Sequence, residues 1–241
     1  MIDRNTNVQI TNEALAFAKP MLAPVRVLNL YAGIGGNRKL WENVEVTAIE
    51  FNDEIASIYK DLNPNDNVIV ADAHEYLIEN YMNFDFIWSS PPCQSHSKFR
   101  FMCSKMEPGT RGNGIKKYID FKLWQEIIFL KHYAECKWVV ENVVPYYEPL
   151  IQPTTQLQRH LIWSNFRIAK TDLIKEDNLD IKKSNCKNEN FDLTKYNIKH
   201  RKDQILNNCV NPDLGLYIFE QFLGQNRKAV TNQNSLFGDE W

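Results

Sequence analysis

Residues Val27-Leu-Asn-Leu-Tyr-Ala-Gly-Ile-Gly-Gly36 decide the fold. A short apolar run leads straight into a glycine-rich turn, and an amphipathic stretch, Gly36–Glu42, follows with helical spacing. A strand buried on both faces reads as a continuous apolar run, and glycines let the backbone turn sharply and approach a ligand closely. Strand, turn and helix in that order form the opening unit of a nucleotide-binding α/β sheet. The glycine turn alone is a weak signal, because a tight turn with a helix-packing glycine is spelled the same way. Two carboxylates strengthen it. Glu50 stands seventeen residues after Gly33 at the end of the next apolar run, and Asp72 ends the third. In dinucleotide folds a carboxylate at the end of the second strand binds ribose hydroxyls.

Outward from this unit, apolar runs alternate with amphipathic ones. Val25–Leu30, Glu45–Phe51, Asn67–Asp72, Phe84–Ser90, Lys137–Val143 and His160–Phe166 predict strands, being short and rich in Val, Ile and aromatics. Gly36–Glu42, Asp53–Leu62 with Asp53 as its cap, Ala73–Asn80, Phe121–Glu135 and Pro212–Leu223 predict helices. The alternation is that of a doubly wound, Rossmann-like α/β fold. Residues 167–203 interrupt it as a polar, loop-rich insertion, and 224–241 form a polar tail.

The bulk composition narrows the class. With 241 residues and 44% apolar content the chain can bury one sizeable core. No stretch approaches the roughly 18 apolar residues of a membrane span, and the start, Met-Ile-Asp-Arg-Asn-Thr-Asn, is too polar for a secretory signal. Cys93, Cys103, Cys136, Cys186 and Cys209 are an odd set without Cys-x-x-Cys spacing, which disfavours a disulfide framework or a structural zinc site. The expectation is a cytoplasmic protein without a metal. A formal charge of −2 neither announces nor excludes a nucleic-acid partner, since local patches decide that.

Two segments carry chemistry. Ser89-Ser-Pro-Pro-Cys-Gln94 follows the fourth apolar run, and Trp138-Val-Val-Glu-Asn-Val143 forms the fifth. Pro91 and Pro92 cannot continue a strand's hydrogen bonding, so the chain turns there and lifts Cys93 out of the sheet. A free cysteine is most often a small buried hydrophobe, but one set between Pro-Pro and Gln-Ser-His-Ser is ill suited to a core. A thiolate is the reactive form and positive charge favours it; Lys98, Arg100, Lys105, Arg111, Lys116 and Lys117 follow against a single Glu107. Glu141, at the end of an apolar strand, reads either as a salt-bridging carboxylate or as an acid–base group. The other four cysteines lack such a setting and read as packing residues.

From about Val25 to Leu223 the chain resembles the cytosine-5 DNA methyltransferases. They carry a glycine-rich loop, a Pro-Cys nucleophile and a Glu-Asn-Val segment in this chain order. The resemblance implies S-adenosylmethionine as cofactor, surrounded by Tyr31, Gly33, Gly35, Gly36, Glu50, Phe51, Asp72, Ala73, Pro91, Asn208 and Val210. It implies that Cys93 adds to carbon 6 of cytosine while Glu141 hydrogen-bonds ring nitrogen 3 and the exocyclic amine, and that Asn142 holds the loop through backbone hydrogen bonds. Gln156-Leu-Gln-Arg-His160 resembles the family's Gln-x-Arg-x-Arg segment, whose last Arg contacts the cytosine carbonyl. That role falls to Arg159 or, in the neighbouring register, to His160. Asn29 departs from the family's usual Asp, and Asn207 replaces the glycine of the turn before Asn208-Cys-Val-Asn-Pro212.

The same resemblance divides the chain into a catalytic domain (1–166 with 204–223), a small target-recognition region (167–203) and a tail (224–241). A stacked base must be flipped to be reached, and residues 98–117, basic and punctuated by Gly109, Gly112 and Gly114, have the composition of a lid. Residues 167–203 hold ten Lys or Arg against seven Asp or Glu, which suits contact with a nucleic-acid backbone. The expectation is a monomeric, bacterial or phage-type methyltransferase of double-stranded DNA. The alternatives are an RNA (tRNA) cytosine-5 methyltransferase and a catalytically silent DNA-binding relative. Gln233-Asn-Ser-Leu-Phe237 resembles peptides that bind the replisome's sliding clamp, with Gln233, Leu236 and Phe237 as the docking residues.

Overall fold

The computed structural model describes residues 23–98, 101–102, 118–172, 174, 186–188 and 190–225. Most of the basic segment after Lys98, Cys103 and the Gln233–Phe237 motif lie outside them.

A seven-stranded sheet has the order β3-β2-β1-β4-β5-β7-β6. Its strands are β1 (Val25–Leu30), β2 (Val44–Glu50), β3 (Asn67–Val70), β4 (Phe86–Ser89), β5 (Lys137–Val143), β6 (Thr155–Leu157) and β7 (His160–Ser164). The first five pair in parallel, whereas β7 runs antiparallel to β5 and β6 antiparallel to β7. The chain moves outward from β1 through β2 to β3, then crosses back to place β4 on the other side of β1. That reversal leaves a crevice beyond the carboxyl ends of β1 and β4. The glycine turn leaves one end and the Pro-Pro-Cys segment leaves the other.

Both faces of the sheet are covered, which explains the unbroken apolar runs. On one face Val27, Phe86, Trp88, Val139 and Ile162 pack with Trp41, with Tyr59 of α1 (Asp53–Leu62) and with a helix at Pro212–Phe222. On the other Leu28, Leu30, Ile87, Val140 and Trp163 meet α2 (Ala73–Asn80) and α3 (Lys122–Tyr133). Alternate residues of each strand go to opposite cores, as the pleat requires. A third, smaller core joins Ile34 and Ile58 to Phe191 and Leu193 and to Ile205 and Leu206 of α4 (Lys202–Asn207). Much of the polar insertion's final part is thus laid along α1, where Lys195 and Tyr196 reach Asp61 at 2.7 and 2.6 Å. The last helix, α5, is Pro212–Phe222, with Asn211 capping it and proline in its first turn.

Several expectations require correction. Gly36–Glu42 is a series of turns rather than a helix, with Arg38, Lys39 and Trp41 amides bonding three residues back. Side chains hold this path. Trp41 Nε1 donates to Gly215 O at 3.1 Å, Arg38 forks onto Asp66, and Asn37 and Asn29 exchange amide hydrogen bonds in the core. The cap of α1 is Asn52, whose side chain accepts from the Ile55 amide, and not Asp53. The third strand stops at Val70 because Asp72 is already the cap of α2.

Candidate active site

The glycine turn is built from three different requirements. Gly33 has φ +55°, where a side chain is disfavoured, and a Cβ there meets nothing within 4 Å. Its open side is where a ligand can approach. Gly35 and Gly36 are needed by the protein itself. A Cβ on Gly35 would sit 2.8 Å from the Tyr59 ring, and one on Gly36 would sit 2.2 Å from Cys209 Sγ and 2.3 Å from Val210 O. The Cys209–Val210 turn therefore lies directly on the glycine loop.

Glu50 closes the other side. Its two oxygens accept the Gly33 and Asn52 amides, both at 2.9 Å, so one carboxylate sets the turn and keeps a further lone pair on each oxygen. Phe51 beside it is 76% exposed, an open ring next to an acceptor of hydroxyl hydrogens. Ala73 is buried at the start of α2. Asp72 is more occupied than the sequence implied. Its Oδ1 accepts the His74 and Glu75 amides and its Oδ2 lies 3.2 Å from Lys122 Nζ. Burial works against its charge, but those amides and Lys122 outweigh it and hold the carboxyl below its usual range.

Tyr31 departs from the glycine turn with φ +55° and donates its hydroxyl to Glu126 of α3. Glu126 is fully buried, accepts Ser89 Oγ at 2.7 Å and faces His74 Nδ1 at 3.3 Å. Burial, then the neighbouring carboxylate, pushes the Tyr31 hydroxyl well up. Sequence reasoning missed Glu126, although it left a trace. The residue shares the buried stripe of Leu123, Ile127 and Leu130, where an acidic side chain is out of place.

The chemistry-bearing segments converge at the ends of β4 and β5. Asn142 Nδ2 donates to Pro91 O at 2.8 Å and its Oδ1 accepts the Val143 amide, the structural part expected of it. Cys93 is half-buried, and its carbonyl takes the amides of His96 and Ser97. Buried His96 anchors this turn, with Nδ1 2.5 Å from the Tyr147 hydroxyl, and burial lowers its pKa.

Glu141 is buried and receives hydrogen bonds at both oxygens. Ser90 Oγ lies 2.9 Å from Oε2, and His160 Nδ1 pairs with Oε1. The antiparallel register explains the second contact. Glu141 stands opposite Ile162, so His160, two residues earlier on β7, falls on the same face as its diagonal neighbour. Burial pushes the Glu141 carboxyl up, but His160 foremost, then Ser90 and Arg159, overcome this and hold it below its ordinary value. Arg159 Nε lies 3.3 Å from His160 Nε2. Of the two residues the sequence left open at this place, His160 touches Glu141 and Arg159 touches His160.

No group of three or more metal-binding side chains occurs, and no helix is long and apolar enough to cross a membrane, among the described residues. A search of curated protein sequences returns no match. Structural comparison finds a SAM-dependent methyltransferase from Agrobacterium tumefaciens at 17% identity and TM-score 0.32, covering 52% of this chain and 40% of that one. It also finds Spodoptera frugiperda DNMT2 at 26% identity and TM-score 0.34, covering 49% of this chain and 35% of that one. The Entamoeba histolytica methyltransferase EhMeth matches at 18% identity and TM-score 0.32, over 51% of this chain and 39% of that one. The aligned part thus spans less than half the length of each of these three proteins. A family model described as C-5 cytosine-specific DNA methylase matches residues 25–144, which hold the glycine turn, Glu50, Cys93 and Glu141. The cofactor of that family is S-adenosylmethionine, and the open side of Gly33, the free lone pairs of Glu50 and the bare Phe51 ring are compatible with a nucleoside cofactor. Through residues 25–144 the chain belongs to the C-5 cytosine-specific DNA methylase family.

Proposed function

We propose that the protein transfers a methyl group to carbon 5 of a flipped cytosine in double-stranded DNA through a covalent adduct on Cys93. The observation that carries this reading is the bond from Ser90 Oγ to Glu141 Oε2 at 2.9 Å. It ties the segment bearing the thiol to the carboxylate, at the crevice beside the glycine turn. Bound S-adenosylmethionine supplies an electrophilic methyl group on a sulfonium.

The protein's part divides among few residues. The Cys93 thiolate donates its electron pair to carbon 6, and the displaced ring π pair moves toward nitrogen 3, which takes a proton from water and presents that N–H to the Glu141 carboxylate. Carbon 5, now enamine-like, receives the methyl group. Loss of the carbon 5 proton to water, expulsion of Cys93 as thiolate and return of the nitrogen 3 proton restore the aromatic ring. Glu50 orients the ribose, and Asn142 keeps the Pro91 carbonyl, and with it the cysteine turn, in register with β5.

The division into catalytic body, recognition region 167–203 and tail belongs to the same proposal, as does a basic grip on phosphates. Transfer of tritiated methyl from S-adenosylmethionine to duplex DNA, compared with tRNA, tests it, with the Cys93→Ala chain as control. Incorporation into duplex DNA that depends on Cys93 is expected. Incorporation into tRNA alone would assign an RNA substrate, and Cys93-independent transfer would remove the adduct.

A further inference from the structure

The hydrogen bonds around Glu141 fix the position of nearly every proton there. An arginine Nε–H can only donate, so the atom it meets at 3.3 Å, His160 Nε2, presents a lone pair. The ring's hydrogen then sits on Nδ1, aimed at Glu141 Oε1. On the other side Trp88 Nε1–H donates to Ser90 Oγ at 2.8 Å, which leaves the serine's own hydrogen to point at Glu141 Oε2. Both carboxylate oxygens receive a hydrogen whose direction is set by a third group. Among the described residues, Glu141 from β5 and Arg159 from the ring's own lead-in are the charged groups that hydrogen-bond the imidazole.

We propose that Arg159 locks His160 in its Nδ1–H tautomer, and that His160, so locked, is the positioning residue of Glu141. The imidazole is neutral and donates to the carboxylate, in the way an orienting partner fixes the tautomer of a histidine elsewhere. Arg159 acts on the reaction through the ring and not on the base. Each Glu141 oxygen keeps a second lone pair in a fixed direction for a pyrimidine edge. This rests on Glu141 being the base-facing carboxylate, but the tautomer itself does not.

A two-bond proton–nitrogen correlation spectrum of the full chain, with labelled histidine and no substrate, reads the tautomer directly. His160 is assigned by its loss in H160N, or in H160Q where the first variant does not fold. The expected result is a protonated Nδ1 and a bare Nε2, becoming a mixture in R159M. An Nε2–H tautomer or a doubly protonated ring in the unaltered chain overturns the proposal. The second measurement is a double-mutant cycle on methyl transfer, with tritiated S-adenosylmethionine and cytosine-containing duplex DNA. R159M should lower kcat by about ten- to hundredfold in the normal background. It should add nothing in the H160N background, where Asn keeps a donor near Glu141 but has no tautomer to lock. Equal losses in both backgrounds would show that Arg159 acts without His160 and overturn its role. If the unaltered chain transfers no methyl group at all, the functional reading fails while the spectrum still decides the tautomer.

Discussion

The Tyr31 hydroxyl donates to the buried carboxylate of Glu126, a residue 95 positions further along the chain. Through Ser89 and His74 the same carboxylate also touches the end of β4 and the start of α2. The carboxyl ends of two neighbouring strands and two helices therefore share one acidic group under the cofactor crevice. A buried charge persists only where such partners surround it.

Replacing Glu126 by Gln should release His74. Its pKa is raised chiefly by the bond to Glu126, against the opposing effect of burial. Histidine titration by NMR should place His74 above its usual value of about 6.5 in the unaltered chain and return it toward that value in Glu126→Gln. The sign for stability follows. A raised histidine stabilises fully below about pH 6.5, and that contribution is lost as the pH climbs through the folded value. The variant should lose this slope, and about 1–3 kcal/mol overall, because Tyr31 and Ser89 lose a charged acceptor. An unmoved His74 titration would mean that Glu126 does not control it.

Gly33 and Gly36 should separate cofactor binding from folding. Gly36→Ala places a Cβ 2.3 Å from the Val210 carbonyl, which has no flexible end to yield, and should lower stability by about 1–3 kcal/mol or more. Gly33→Ala meets open space, and its left-handed backbone costs only about 1 kcal/mol. Its main effect should be weaker binding of S-adenosylmethionine. Thermal melting and calorimetric titration of both variants check the contrast, and equal melting temperatures would refute it.

Cys93→Ala should abolish methyl transfer while leaving the melting temperature nearly unchanged, because the side chain is half-buried and contributes little to a core. Trapping on DNA containing 5-fluorocytosine, whose fluorine cannot leave as a proton, should vanish with it. A trapped complex in the alanine variant would rule out this thiol.

Glu50→Ala should weaken S-adenosylmethionine by about ten- to hundredfold, the worth of charge-assisted bonds of about 1.5–3 kcal/mol. The amides of Gly33 and Asn52 lose their acceptor as well, so the turn should also loosen. Calorimetry measures the first effect and amide hydrogen exchange at Gly33 the second. Unchanged affinity would remove Glu50 from the ribose.

The regular elements were legible because local pattern and tertiary environment agree. β1, α1, α2 and β5 have the bounds their periodicity predicts. The turns after Gly36 were misread because their path is set by contacts with Asn29, Asp66 and Gly215 that helical spacing within 36–42 does not contain. β6 was missed because it spans only Thr155–Leu157 and returns through Gln158 at φ +52°, a turn without glycine. The hydrogen-bond network around the candidate site was not legible in the sequence. Ser90, Glu126 and the diagonal approach of His160 to Glu141 depend on strand register, which one-dimensional spacing does not encode.

The two flanks of the 175–185 stretch are moored separately. On the near side Gln158 Nε2 holds the Ile174 carbonyl at 3.1 Å. On the far side Lys39 bonds the Asn190 carbonyl, and Tyr196 reaches α1. Both moorings tie back to the site itself: Gln158 adjoins Arg159, whose Nε meets the His160 ring on Glu141, and Lys39 stands in the turns that follow Gly36, so a pull on either flank is felt at a strand end or a loop that builds the crevice.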